Sequence, residues 1–199
     1  MDAVRVALLR DVLAGTEWPG AARRFAGALR GAVVPRRGGL LLVGTEAYEP
    51  WHLAAHLVDE AAWSGQPELA PTLVRHRVGP DAPAHLATGL GRLEAAGRGA
   101  TLLVVAPERP GAGLLQRVHD ARRAGATVLS LDAGDTEVRG LAHEALSVAA
   151  GAGVDLDTVQ HLVSAAAGEN ALPGPRGGGL RDRLSRLADR LTAPPPSRW

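Results

Sequence analysis

GATLLVVAPERPGAGLLQRVHDARRAGATVLS, residues 99–130, is the stretch on which the fold turns. It opens on an uninterrupted run without charge, residues 101–106, the pattern of a strand buried on both faces. Residues 113–123 then read as a helix stopped by Gly125. A second apolar run at 127–131 completes strand, crossover helix and parallel strand, a connection that is right-handed in almost every known case.

Outward from this unit the pattern repeats. Upstream, Leu40-Leu41-Leu42-Val43, stopped by Gly44, reads as the first strand of the same sheet. Between the two lie a helix at 50–63 and a weaker strand at 72–78, whose alternating Arg75 and Arg77 suggest an edge or one solvated face. A helix at 81–96 follows, with Asp81 as N-cap ahead of Pro83. Downstream come a short helix at 136–141, a buried strand at 145–149 and a helix at 155–167, capped by Asp155 or Asp157. In front stand two helices, residues 1–13 with Val4, Leu8 and Val12, and residues 18–33 with Phe25, Leu29 and Val33; Thr16 is the candidate cap of the second. The fold class is therefore α/β: a three-layer sandwich around a parallel five-stranded sheet, preceded by a helical hairpin.

Composition narrows the function. With 199 residues, 46% hydrophobic and 22% charged, the chain is ordered and large enough for one sizeable core. It has no Cys, which removes disulfides, thiolate nucleophiles and Cys-ligated metals and leaves a cytoplasmic location as the expectation. All 22 basic residues are Arg, which excludes Schiff-base lysine chemistry and a P-loop ending in GK[ST]. A net charge of +1 and 3% aromatics give no support to a nucleic-acid partner. No apolar run reaches the roughly 18 residues that span a bilayer, and Asp2 and Asp11 interrupt the start, so neither a membrane segment nor a secretory signal is expected. Gly111 and Gly113 form a lone GxG followed by Leu114-Leu115-Gln116, which does not make a dinucleotide fingerprint.

The domain occupies residues 1–172, residues 173–179 (PGPRGGG) are a linker, and residues 180–199 are an amphipathic helix with a Pro-rich tail. Leu180, Leu184, Leu187 and Leu191 share one stripe of that helix. Asp182 and Asp189 dilute its charge and it lacks aromatic anchors, so a protein partner or another copy is expected on it, not lipid.

The order of these parts resembles the sugar isomerase (SIS) domain, in its phosphoheptose isomerase branch. The residues that carry the resemblance are GGLLLVG (38–44), His52-Leu53-Ala54-Ala55-His56-Leu57 on the next helix, the stretch 99–130, and Asp157-Thr158-Val159-Gln160-His161-Leu162 on the last helix. It covers roughly residues 1–170. It implies a phosphosugar ligand held by two loops, a homo-oligomer (dimer or tetramer) whose clefts are completed across subunits, and a metal and acid/base site. Within that site His52 falls on the family's first His, His56 on its Glu, Gln160 on its Gln and Gly168 on its last His. His52 and His56 are thus the catalytic candidates and His52, His56 and Gln160 the metal candidates, with zinc as the implied ion. Thr45, Glu46, Arg109, Gly111 and Gln160 are the candidate ligand-binding residues.

The loops depart from the family. Where several Ser and Thr donors are expected, Thr45-Glu46-Ala47-Tyr48-Glu49 and Ala106-Pro107-Glu108-Arg109-Pro110-Gly111 stand instead. Glu46, Glu49 and Glu108 bring negative charge to the place of a phosphate dianion, and Pro107 and Pro110 remove amide donors; Arg109 is expected to compensate in part by bidentate contact.

Two readings follow. One is a protein with a degenerate isomerase site that binds a carbohydrate derivative or acts as a non-catalytic oligomeric scaffold or regulator. The other is a phosphosugar aldose-ketose isomerase in which His56 is the base and His52 with Gln160 orients a metal or the substrate. His52 and His56 stand at i and i+4, with Glu60 continuing the row, which suits two imidazoles on one ion and equally a packed subunit contact. His143 and His161 read as structural or solvated, and the loop carboxylates as catalytic groups or as surface charges.

Overall fold

The computed structural model describes residues 3–34 and 38–169. The linker at 173–179, the helix at 180–191 and the tail lie outside the described residues.

Five strands form one parallel sheet in the order β2-β1-β3-β4-β5: β1 (Leu40–Val43), β2 (Pro71–Val74), β3 (Thr101–Ala106), β4 (Thr127–Asp132) and β5 (Glu144–Ser147). In register, Leu40 faces Thr101 and Val43 faces Val104, while Thr101 faces Thr127 and Ala106 faces Asp132.

The period-two alternation of strand side chains divides the core. Leu40, Leu42, Leu103, Val105, Leu129 and Leu131 point to one face, where α2 (Trp18–Val33), α3 (Trp51–Ser64) and α7 (Leu156–Gly168) cover them. Leu41, Val43, Leu102, Val104 and Val128 point to the other, under α4 (Gly91–Glu94), α5 (Ala112–Arg123) and α6 (Thr136–Leu141). Central strands are apolar on both faces because both faces are covered. The remaining helix, α1 (Ala3–Val12), packs on α7.

Polar ties lock the first layer. Arg30 on α2 donates to the carbonyls of Ala166 and Ala167 at the C-terminal end of α7, where a cation also meets the helix dipole. Buried Thr101 donates to the Ala32 carbonyl across 3.2 Å, pinning α2 to β3.

The structure corrects four expectations. The helix expected over 81–96 is a 3-10 turn at Ala84–Leu86 and the single turn α4. Pro83 lacks an amide donor, Gly89 and Gly91 weaken helix, and the Thr88 carbonyl accepts from Arg75 N–H at 2.9 Å, tying this segment to the sheet edge. The strand expected at 72–78 ends at Val74, although β2 is an edge as its arginines imply. The strand expected to be buried at 145–149 is β5, with β4 as its one neighbour among the described residues and with Glu144 exposed. Finally, α2 begins after Glu17, and Thr16 reaches Trp18 N–H only at 3.4 Å while donating to the Leu13 carbonyl at 2.8 Å.

Candidate functional site

The strand order reverses direction between β1 and β3, so their C-terminal ends open the crevice in which doubly wound sheets bind ligands. Gly44 ends β1 there. A Cβ at Gly44 would fall 1.8 Å from the Tyr48 carbonyl oxygen, so only glycine lets the chain fold back this closely before α3. The turn is closed by Tyr48 N–H donating to the Thr45 carbonyl at 3.3 Å, and His76 Nε2 lies 3.0 Å from the Gly44 carbonyl.

Buried Thr45 donates its hydroxyl to the carboxylate of Glu108, in the loop after β3. The one Ser or Thr hydroxyl left in either loop for a ligand phosphate is therefore engaged by a carboxylate. Arg109 turns away and pairs with Glu137 on α6 at 2.9 Å, both exposed. Glu46 pairs with Arg77 at 2.9 Å on the surface. Glu49 holds Arg75 through both carboxylate oxygens at 3.0 and 3.2 Å, and the Arg75 guanidinium lies 4.9 Å above the Trp51 ring. Gly111 is the N-cap of α5, with extended backbone and no side-chain cap.

Gln160 faces this loop. Its amide donates to the Tyr48 hydroxyl at 3.0 Å and to Asp157 at 2.9 Å, and Tyr48 donates to Asp157 at 3.1 Å. Burial raises the Tyr48 pKa, the nearby Asp157 and Glu108 adding to the effect against the hydrogen bond from Gln160. Asp155, the cap of α7, accepts from Thr158 N–H at 2.6 Å, and hydrogen bonding from the Thr158 side chain, then from its backbone N–H, lowers the Asp155 pKa.

A second cluster lies where α3 crosses α7. His52 and His56 stack with ring centroids 5.1 Å apart, one helical turn apart on α3. His161 from α7 approaches to 4.7 Å from His56 and 5.4 Å from His52. One nitrogen of each imidazole lies within 4.8 Å of the others. Neither nitrogen of His56 reaches solvent or a hydrogen-bond partner in the protein. Burial, then the neighbouring His161 and His52, bring the His56 pKa down to about 4.

The carboxylate of buried Glu60 lies against Gly168, where an added Cβ would meet Glu60 Oε2 at 1.6 Å. A histidine at 168 has no room beside it.

Of the residues singled out in the sequence, the structure thus joins His52 with His56, and Thr45 with the loop of Arg109 and Gly111. It sends Gln160 to Tyr48 and Asp157, and Arg109 and Glu46 to surface ion pairs. His143 is structural: its Nδ1 accepts from Val128 N–H at 3.0 Å. His161 is not solvated; it is 5% exposed, on a helix buried at every residue from Val159 to Gly168. It was missed because its neighbours on α3 are a hundred positions away in the chain. Its one signal was its place in an α7 stretch rich in Leu, Val and Ala, where a solvated side is hard to find.

No helix among the described residues is long and apolar enough to cross a membrane. No protein-family model and no curated protein matches the chain. Among solved structures it is similar to the sugar isomerase domain of an RpiR transcription factor from Sphaerobacter thermophilus, at 16% identity and a TM-score of 0.51, over 84% of this chain and 86% of that one. It is also similar to a Salmonella typhimurium LT2 protein assigned as sugar-binding, at 16% identity and a TM-score of 0.53, covering 92% of this chain and 51% of that one. The chain therefore spans about half the length of the Salmonella protein. Strand order, helical layers and these likenesses together show that the chain has the fold of the sugar isomerase (SIS) domain.

Proposed function

We propose that this SIS-fold protein recognises a carbohydrate derivative in the crevice between β1 and β3 without isomerising it, and works as an oligomeric scaffold or regulator. The observation that carries the reading is the hydrogen bond from Thr45 to Glu108. A phosphate dianion needs converging donors, and here the donor is engaged, the acceptor carries like charge, and Arg109 faces Glu137. An isomerase without a phosphate grip forfeits the binding energy that orients the reacting carbons. The carbohydrate part rests on the fold and on the sugar-binding assignment of the Salmonella likeness, which is an analogy of scaffold.

Self-association is supported by the outer face of α3. Trp51, Ala55, Val58 and Ala62 recur at spacings of four, three and four and are all exposed, Val58 by 49%.

A thermal-shift screen of heptose, hexose and hexosamine phosphates beside their unphosphorylated sugars, with and without zinc, tests the reading. It predicts no shift with the phosphates and a shift with at least one uncharged or amino sugar. A shift with a phosphosugar, accompanied by its isomerisation, would establish the second reading, a rearranged phosphosugar isomerase. That alternative needs His56 as the base, against which its lowered pKa and its shielded nitrogens weigh.

A further inference from the structure

The α3–α7 crossing carries a chemistry that the sugar crevice does not use. Three imidazoles from two helices converge, and a neutral imidazole has one donor and one acceptor nitrogen to satisfy. At His56 both nitrogens are shielded and neither has a hydrogen-bond partner in the protein. Packed histidines filling a core normally recover those bonds from backbone or carboxylate, since an unsatisfied buried polar atom costs about 1–3 kcal/mol.

We propose that His52, His56 and His161 form a site for one divalent transition-metal ion, with His161 taking the part that the family resemblance assigns to Gln160. The donor nitrogens lie within 4.8 Å of one another. Around a tetrahedral ion with bonds of about 2.0–2.1 Å, imidazole nitrogens stand about 3.4 Å apart, so small rotations of the three rings close the set. The donors are all nitrogen, which favours zinc, cobalt, nickel or copper over magnesium or calcium. His52 is exposed, so a fourth position faces outward and is open to water or an external donor.

The choice of His161 follows from the helix. Adjacent residues on α7 point about 100° apart, so when Gln160 faces Tyr48 and Asp157 its neighbour faces α3. The Gln160 amide is already bonded to Tyr48 on the β1–α3 turn and to Asp157 on its own helix. Glu60, next along the row on α3, lies against Gly168. This site does not depend on any carbohydrate being the ligand of the crevice.

The test uses the purified full chain, stripped with chelator and titrated with Co2+ alone, then competed with Zn2+. The expected result is one equivalent bound, with the visible d–d bands of four-coordinate cobalt that zinc abolishes. His52→Ala, at an exposed position, and His161→Phe should each weaken binding by at least about tenfold, while Gln160→Ala should leave it within about twofold. Circular dichroism verifies that each variant is folded. If His161→Phe does not fold, the contact-shifted imidazole N–H signals in the NMR spectrum of the cobalt-loaded protein take its place, and three histidines should contribute. Absence of stoichiometric binding, binding unchanged in His161→Phe or His52→Ala, fewer than three histidine signals, or loss in Gln160→Ala alone would overturn the assignment.

Discussion

The hydroxyl of Thr45, at the end of β1, donates to the carboxylate of Glu108, in the loop after β3, across the crevice where the strand order reverses. Two loops that in a phosphosugar enzyme would close around a dianion are here joined to each other. Removing the carboxylate should undo this: Glu108→Ser frees Thr45 and adds a donor. We expect millimolar glucose 6-phosphate or inorganic phosphate to raise the melting temperature of Glu108→Ser and leave the parent unmoved. Equal behaviour of the two proteins would show that Glu108 does not decide anion exclusion.

Gly168 is held to glycine by Glu60. Gly168→Ala places a methyl where the buried carboxylate lies and should cost about 1–3 kcal/mol in chemical denaturation. Combining it with Glu60→Ala should recover part of the loss, because the two residues share one space. Additive losses in the double variant would contradict the contact.

The depressed pKa of His56 sets the direction of one pH dependence. Unfolded, its imidazole takes a proton near pH 6.5; folded, it does so only near 4. Between these values the unfolded chain binds more protons, so the contribution is complete above about pH 6.5 and is lost as pH falls towards 4. In metal-free protein this should remove about 1–2 kcal/mol after allowance for solvent near the ring. His56→Phe should flatten the stability profile over that window; an unchanged slope would assign the acid sensitivity elsewhere.

The stripe of Trp51, Ala55, Val58 and Ala62 predicts a mass above that of one 20.6 kDa chain in light scattering. Val58→Arg puts a charge in the middle of the exposed face and should lower the mass to the single chain without altering the circular dichroism spectrum. A parent protein that already runs as one chain would remove oligomerisation from the proposed function.

Asp155 gives a local control. Its side chain caps α7, so Asp155→Ala should cost about 1 kcal/mol, read from the denaturation midpoint. Its lowered pKa means that this contribution is present above about pH 4 and fades as the carboxylate is protonated.

Much of the architecture is legible in the chain. Leu40–Val43, Thr101–Ala106, Trp18–Val33 and Thr136–Leu141 fall where apolar runs and helical spacing put them. These signals are local: a strand covered on both faces has to be apolar at every position, and a helix laid on a sheet has to repeat every three or four residues. The misreading of 81–96 has the opposite cause, since the carbonyl of Thr88 serves the sheet edge through Arg75, a partner that periodicity does not reveal.

The site divides in the same way. Sequence alone set the parallel sheet, the departure of both loops from a phosphate clamp, and the pairing of His52 with His56, because a spacing of four residues on a helix is itself a distance. Only the tertiary structure decided that Glu108 caps Thr45, that Gln160 turns to Tyr48, and that His161 completes the imidazole cluster. Those relations join segments separated by 63 and 112 residues in the two hydrogen-bonded pairs, and by a comparable span between α3 and α7. They arise from the packing of α3 against α7 and the pairing of β1 with β3, and side-chain direction on the helices is set by helix rotation in the folded core, a quantity that a one-dimensional spacing does not contain.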